Sequence, residues 1–254
     1  MNVLVFNCGS SSQSFKVFRV QPGESPVVCA AGKARNVATR TQAEAEITWQ
    51  VGAQAGAKSI ELPTHRRAAE AHLAILADNG VRVDAVGHRF VHGGEHFDQA
   101  VKIDAATLPT LRQCLPLAPI HNPNSFSVIE VVARVLPGVP QYAVFDTAFH
   151  AQMPAAARRY ALPQALAAQH SFHKVGFHGL SLQFVTARTA ELLGRPLQEL
   201  RLIVCHLGTG GASVTAVQGG QTVDTSMGYS PLAGLVMSTR CGDLDPQIVL
   251  ELVR

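Results

Sequence analysis

The feature that most constrains the fold of this chain is a strand–turn–strand pattern that occurs twice. Residues 3–20 contain an apolar run, a turn rich in glycine and serine, and a second apolar run. Residues 202–217 repeat that order. Two β-rich runs around a short glycine-rich turn are typical of a β-hairpin. Because the copies begin about 200 residues apart, they predict a duplicated architecture in which each half starts with a hairpin.

Helical and strand patterns alternate between the two hairpins, which predicts the α/β class. Apolar periodicity indicates helices over residues 64–79, 124–136, 155–168 and 180–194, and β-rich runs indicate strands over residues 83–91 and 141–145. Residues 22–63 carry a weaker pattern, with short strand candidates near Val27 and Ile47. We also expect Thr64 to cap the first of these helices.

Composition excludes several classes of protein. With 254 residues, 47% of them apolar, the chain can bury a large core, which excludes a disordered chain. It contains no run of about 18 apolar residues and no basic leader before an apolar segment, so we expect neither a transmembrane helix nor a secretory signal. A net charge of +3, a single tryptophan and three tyrosines argue against a nucleic-acid partner. The five scattered cysteines fit a reduced, cytoplasmic protein.

Both hairpin turns have the chemistry of phosphate binding. Backbone N–H groups of a glycine-rich turn can approach phosphate oxygens closely, because no side chains stand in the way. In the first turn the hydroxyl groups of Ser10 and Ser12 add donors, and Asn7 is placed to hold a metal-bound water. A single turn of this kind is more often an ordinary loop, but the second copy at the matching place makes the two interpretations about equally good.

Polar side chains also follow two of the predicted strands, where ligands bind in α/β sheets. Arg89 lies at the end of an apolar strand beside Gly93 and Gly94, and its guanidinium suits a carboxylate or a phosphate. The alternative is a surface arginine with an acidic partner. Asp146 directly follows a buried strand, which is typical of a carboxylate near a metal–phosphate and equally typical of a helix N-cap.

Three further motifs carry a histidine or an arginine. His121 lies in a proline-flanked loop, where a structural role is the commoner one, and His178 lies between two glycines, where backbone can approach a ligand. Arg240 precedes Asp243 and Asp245, so it is either a preorganised cation for phosphoryl oxygens or half of an Arg–Asp pair that ties the loop. The histidines at positions 88, 92 and 96 are spaced four residues apart. That spacing brings metal ligands together only on a helix, and this segment is predicted to be a strand followed by a glycine turn, so the spacing argues against a metal site.

Eight motifs occur in one order along the chain, and together they resemble the acetate kinase family. The motifs are NCGSSS, GHRFVHGGE, LAPIHNP, FDTAFH, GFHG, CHLG, DTSMGYSPLAGL and MSTRCGDLDP. The resemblance implies duplicated, ribonuclease H-like βββαβαβα domains of the sugar kinase/Hsp70/actin type around a nucleotide cleft. It implies an N-terminal domain over residues 1–148 and a nucleotide-binding domain over residues 149–254. Since members of the family are longer than this chain, it also implies that the second domain is incomplete.

The resemblance implies a homodimeric, Mg²⁺-dependent enzyme that converts ATP and acetate into acetyl phosphate and ADP by direct in-line transfer. The residues it implies are Asp146, His178, Arg240 and His121 for catalysis, Arg89 for the acetate carboxylate, Asn7 for the metal, and Ser10, Ser12, Lys16, His206, Gly208, Thr209 and Gly210 for the nucleotide. Asp146 would be an acid/base or metal-orienting carboxylate, His178 and Arg240 would stabilise the transition state, and His121 would lie beside the transferring phosphoryl group.

Three positions depart from the family pattern. Ser14 stands where the family has lysine, and Lys16 follows two residues later on the same strand face. The second turn has Thr209 and an apparent insertion in place of the family's asparagine, and Leu182 stands where histidine is usual. Together with the shorter chain, these departures leave two alternatives open. One is an inactive fragment or carboxylate-binding remnant, and the other is a propionate or butyrate kinase.

Overall fold

The computed structural model describes residues 1–39, 44–208 and 210–254. These residues form two compact units, Met1–Val144 and Phe145–Arg254. The domain boundary expected between residues 148 and 149 lies close to this division and stays a prediction.

Strands and helices alternate along most of the chain, as expected for the α/β class. The strands are β1 Asn2–Cys8, β2 Ser12–Arg19, β3 Val27–Arg35, β4 Glu46–Val51, β5 Gln54–Ser59, β6 Ala85–Phe90, β7 Val101–Ile103, β8 Gln141–Phe145, β9 Arg201–Gly208, β10 Gly211–Gln218 and β11 Gln221–Thr225. The α-helices are α1 His65–Asp78, α2 Leu108–Gln113, α3 Asn122–Val135, α4 Ala155–Arg158, α5 Gln164–Gln169, α6 Gly179–Leu193 and α7 Pro246–Leu252.

The first eight strands form one sheet in the order β5-β4-β3-β2-β1-β6-β8-β7. Strands β1 to β5 pair with one another in antiparallel succession, and the predicted N-terminal hairpin is confirmed as β1 and β2. β6 runs parallel to β1, so the ends of these two strands lie side by side. The weak pattern over residues 22–63 corresponds to the three strands β3, β4 and β5, which include the candidates near Val27 and Ile47.

Helices α1 and α3 bury their apolar faces against this sheet. Alternate residues of β1, including Leu4 and Phe6, are buried in one core with Leu73 from α1 and Val128 from α3. This alternation is what one buried face of a strand requires. The predicted cap is confirmed, because the Thr64 side chain accepts a hydrogen bond of 3.2 Å from the backbone N–H of Arg67.

The second unit contains a three-stranded antiparallel sheet in the order β11-β10-β9. The second predicted hairpin is confirmed as β9 and β10. Helix α6 packs on this sheet through a cluster that includes Leu182, Val204 and Val217. The helix ends at Gly194, whose φ of 59° is the left-handed conformation that glycine adopts readily at a helix C-terminus.

The expectation of one helix over residues 155–168 is wrong. The structure has two short helices there, α4 and α5, separated by an irregular segment that ends at Pro163. Proline has no backbone N–H, and its ring clashes with the preceding helical turn, so it favours the first position of a helix over the interior. The alanine-rich composition concealed this interruption.

Two histidines are fully buried in the first unit, and each donates one hydrogen bond to a glutamine. His72 Nδ1 donates to Gln13 Oε1 at 3.0 Å, and His88 Nε2 donates to Gln141 Oε1 at 2.8 Å, since an amide oxygen only accepts. Within the described residues the second ring nitrogen of each histidine has no partner. Burial lowers the pKa of both His72 and His88 to about 4.

We expect acid to destabilise the first unit between pH 6.5 and about 4. The pKa of each histidine is lower in the folded protein than in the unfolded chain. As the pH falls, the unfolded state therefore binds protons at these two rings before the folded state does. Their stabilising contribution is complete above pH 6.5 and is lost as the pH falls, by up to about 1.4 kcal/mol per pH unit for each ring. Urea unfolding followed by the fluorescence of Trp49, the only tryptophan, measures this.

A pair of variants isolates the contribution of His88. In His88→Gln one fewer proton is taken up on unfolding, so the unfolding free energy should fall less steeply with decreasing pH, by roughly 1.4 kcal/mol per pH unit. The matched control is His96→Gln, because His96 is exposed in the same unit. An unchanged pH slope in His88→Gln would contradict the assignment.

Candidate active site

The first unit brings Asn7 and Arg89 together. In the parallel pairing of β1 with β6, Phe6 lies opposite His88, so Asn7 and Arg89 are the next residues on neighbouring strands. Arg89 Nη1 donates to Asn7 Oδ1 at 2.9 Å. The guanidinium is half-buried, and it is held at the end of two strands where a ligand carboxylate can reach it.

The first hairpin turn is closed by its backbone and fastened to helix α1. The N–H of Gly9 donates to the Ser12 carbonyl oxygen at 2.8 Å, and Ser10 is exposed at the tip. Directly after the turn, the Gln13 side chain donates to the His65 carbonyl oxygen at 2.9 Å. The turn is therefore rigid at its base, while its tip faces solvent.

Lys16 lies on the exposed side of β2, opposite Val5 of β1. Ser14 lies opposite Asn7 in the same register. Lys16 is thus two residues, or about 7 Å, farther from the turn than Ser14.

His121 lies just before α3, and its N–H donates to the Ala118 carbonyl oxygen at 2.9 Å. Sequence reasoning missed its neighbour Asn122, which is fully buried. Asn122 Oδ1 accepts from the N–H groups of Val91 and His92, and Nδ2 donates to the His92 carbonyl oxygen at 3.0 Å. A fourth bond, of 2.7 Å, runs from Nδ2 to the Cys114 carbonyl oxygen. This one amide therefore fixes the segment that follows Arg89.

In the second unit, two glycines pack tightly against the segment that carries Asp146. A methyl group at Gly179 would lie 2.2 Å from the Asp146 carbonyl oxygen, and one at Gly176 would lie 2.6 Å from the ring of His150. Only glycine fits at these distances. The Gly179 N–H donates to the same Asp146 oxygen at 2.9 Å. Asp146 itself is buried, and Thr147 takes the N-cap position of the short turn that follows.

Sequence reasoning also missed His150, which is buried and bonded through both ring nitrogens. Nε2 donates to the Phe177 carbonyl oxygen at 2.9 Å, and Nδ1 lies 3.1 Å from Thr222 Oγ1. Burial lowers the pKa of His150, while the Phe177 carbonyl group and the charge of Asp146 oppose that shift. The ring thus anchors the backbone just before His178.

His178 and His206 form a stacked pair. His178 has a left-handed backbone, with φ of 63°, at the position before α6. Its ring lies 4.1 Å from that of His206, with 26° between the planes. Each ring has a serine partner, because His178 Nδ1 lies 3.0 Å from Ser213 Oγ and His206 Nδ1 lies 3.0 Å from Ser181 Oγ.

Arg240 lies beside this pair. A methyl group at Gly211 would lie 2.9 Å from His178 Nε2 and 3.7 Å from Arg240 Nη1, so glycine leaves room where the two side chains converge. Nη1 of Arg240 donates to the Pro231 carbonyl oxygen at 3.1 Å and contacts Met237 Sδ at 3.7 Å. The structure thus brings two of the predicted residues, His178 and Arg240, together at one glycine, and a third, His206, stacks on His178.

The loop that carries Arg240 is tied by Asp243. Asp243 Oδ1 accepts from the Gly234 N–H at 2.8 Å, and its own N–H donates to the Gly234 carbonyl oxygen at 3.0 Å. Across the three ranges that the structure describes, Arg240 forms no ion pair. The alternative of an Arg–Asp pair that ties the loop is therefore wrong, since the acid binds backbone instead.

The second turn connects β9 with β10. Gly208 pairs with Gly211 across the hairpin, and Gly210 is exposed, with space around its Cα. The predicted nucleotide-binding residue Thr209 lies outside the described residues.

The described residues do not fit a metal ion held by the protein alone. They contain no group of three His, Cys, Asp or Glu side chains able to hold one. Asn7 Oδ1 accepts from the cationic Arg89, which disfavours a second cation at that oxygen. We therefore assign no chemical step to a metal. Of the helices in the described ranges, none has the length and apolar character to cross a membrane.

The sequence model of the Acetokinase family matches residues 2–254. This chain belongs to the Acetokinase family. It is 45% identical to an acetate kinase of Dictyoglomus turgidum over 261 residues, a match that covers 100% of this chain and 63% of the relative. The chain thus spans less than two thirds of the length of the curated relatives it matches.

Solved structures of this family have the same fold. The Porphyromonas gingivalis acetate kinase matches with a TM-score of 0.86 and 37% identity, over 99% of this chain and 63% of that one. A propionate kinase from Francisella tularensis matches with a TM-score of 0.88 and 38% identity, over the same shares of the two chains. These matches confirm the predicted α/β fold of the sugar kinase/Hsp70/actin type.

One departure from the acetate kinase pattern has a clear structural consequence. Leu182 is fully buried, and it packs against Val204 and Val217 between α6 and the three-stranded sheet. At this position the chain therefore has a core residue in place of the usual histidine.

We expect Asn122→Ala to destabilise the first unit by at least about 3 kcal/mol, because four hydrogen bonds are lost and buried backbone groups are left without partners. Urea unfolding followed by Trp49 fluorescence measures the loss. Asn124→Ala is the control, since Asn124 donates a single bond, to the Ile120 carbonyl oxygen, and should cost about 1 kcal/mol. Equal losses in the two variants would refute the role of Asn122.

Proposed function

We propose that this chain transfers a phosphoryl group between ATP and acetate, giving acetyl phosphate and ADP by a direct in-line reaction. The observation that carries the proposal is the convergence of His178 and Arg240 at Gly211, with His206 stacked on His178. Membership of the Acetokinase family supports it.

The reaction needs no strong general base. An acetate carboxylate is already a nucleophile, so catalysis reduces to aligning two anions and stabilising charge on the equatorial oxygens of the transferring group. Arg240 and His178 would supply donors to those oxygens. Arg89 would bind the acetate carboxylate, as its position at the end of β6 supports.

The remaining assignments follow from the family resemblance. Asp146 would act as an acid/base or orienting carboxylate, and His121 would lie beside the phosphoryl group. The two hairpin turns would bind the nucleotide through Ser10, Ser12, Lys16, His206, Gly208, Thr209 and Gly210.

Four further properties are proposed on the same ground. Magnesium would enter with ATP, bound mainly by phosphate oxygens and water, as is usual for this ion, with Asn7 holding one such water. The enzyme would be a cytoplasmic homodimer, built of domains at residues 1–148 and 149–254.

Propionate is the second candidate substrate, because the similar Francisella tularensis protein is a propionate kinase. We expect the highest kcat/KM for acetate, a lower value for propionate and the lowest for butyrate. Initial rates with the three acids as competing acceptors measure the order. A reversed order would make the chain a propionate or butyrate kinase.

Arg240→Ala should lower kcat/KM for acetyl phosphate formation by roughly 10² to 10⁴, because a cation that stabilises the transition state is removed. A hydroxamate assay of the purified chain with ATP, Mg²⁺ and acetate measures this. Arg188→Ala is the matched control, since Arg188 is an exposed arginine on α6 that pairs with Glu191.

Two results would contradict the proposal. Equal activity of Arg240→Ala and the parent chain would remove Arg240 from the site. Absence of acetyl phosphate from a folded chain would favour the alternative of a non-catalytic carboxylate-binding remnant.

A further inference from the structure

Ser213 lies where its hydroxyl group can fix the orientation of His178. It is fully buried on β10, and in the pairing of β10 with β9 it lies directly opposite His206. Ser213 and His206 therefore share the sheet face on which α6 packs. His178, just before α6, reaches this face, bonds to Ser213 and stacks on His206.

The bond between Ser213 and His178 is not easily replaced. A buried hydroxyl group without a hydrogen-bond partner is costly. In the described part of the chain, the structure gives Ser213 Oγ a single partner, His178 Nδ1. The nearest hydroxyl on the same face of β10, that of Thr215, is bonded to Thr225 at 2.8 Å. A flip of the His178 ring would therefore break the hydrogen bond between His178 Nδ1 and the buried Ser213 hydroxyl group.

The orientation of the ring decides which nitrogen meets the ligand. With Nδ1 on Ser213, Nε2 of His178 lies beside Gly211 and close to Arg240. Stacking on His206 adds a second restraint, and Ser181 holds the His206 ring from α6. The two serines thus bond to the Nδ1 atoms of the stacked pair, and Gly211 lies beside the Nε2 atom of His178.

We propose that Ser213 and Ser181 are positioning residues that hold the His178–His206 pair as one rigid donor face for phosphoryl oxygens. This inference rests on the proposed function, because it takes the ligand at Arg240 to be a phosphoryl group. A donor that is already oriented needs no reorganisation when charge develops, so the serines would act on the rate without touching the substrate.

The test is an imidazole ¹⁵N NMR spectrum of the full chain labelled at histidine. The ¹⁵N shifts of a histidine ring report its tautomer and hydrogen bonds directly. Ser213→Ala should move the His178 signals toward the average of two tautomers, and Ser181→Ala should move those of His206. Thr215→Val is the matched control, because it removes a buried hydroxyl group from the same strand face. It should leave both histidines unchanged.

Titration with inorganic phosphate connects the orientation to binding. We expect phosphate to shift the His178 signals of the parent chain and to bind Ser213→Ala about tenfold more weakly. Ser213→Thr, which keeps the hydroxyl group, should recover most of the affinity. Where acetyl phosphate formation is measured, kcat should fall in Ser213→Ala while KM for acetate stays near its parental value.

The outcomes separate the two proposals. Unchanged His178 shifts in a folded Ser213→Ala chain would overturn the role of Ser213, whatever the activity. If Ser213→Ala does not fold, Ser213→Cys gives the same test with nearly the original volume. A parent chain that binds no phosphate would overturn the proposed function, while its imidazole spectra would still decide whether Ser213 sets the ring.

Discussion

The close approach of two glycines to one neighbouring segment is the constraint on which the second unit depends. A side chain at Gly179 would collide with the Asp146 carbonyl group, and one at Gly176 would collide with His150. His178, between the glycines, has a left-handed backbone. From that position its ring reaches Ser213 and His206. Close backbone packing of this kind fixes the position of a glycine-containing segment that would otherwise be flexible.

In this site, neutral groups fix the position of the Arg240 guanidinium. Arg240 is fixed by the Pro231 carbonyl oxygen and the Met237 sulfur, and the nearby Asp243 is occupied by the backbone of Gly234. An arginine paired with a carboxylate would already be neutralised, and an anion would have to compete for it. An arginine held by a carbonyl group keeps its full charge for an anionic ligand. Because Asp243 binds the backbone of Gly234, it leaves Arg240 without a carboxylate partner among the described residues.

Local patterns predicted much of the fold, and contacts between distant residues account for most of what they missed. The two hairpins, the Thr64 cap and the end of α6 at Gly194 depend on neighbouring residues, so the sequence predicts them. Asn122 has partners about 30 positions away, and nothing nearby signals that its amide is satisfied four times. The stacking of His178 on His206 likewise arises from the register of β9 and β10. Pro163 is a local signal for the interruption between α4 and α5, but the alanine-rich composition of this segment favoured the prediction of one continuous helix.

Calorimetric titration of the chain with ADP, aluminium fluoride and acetate tests the central claim most directly. Aluminium fluoride imitates a planar phosphoryl group between two oxygens, and a site built for that transition state binds such a mimic far more tightly than its parts. We predict strong heat of binding in the presence of magnesium only when ADP, fluoride complex and acetate are all present. Binding of ADP that acetate and aluminium fluoride leave unchanged, or no binding to a folded chain, would contradict in-line transfer at this site.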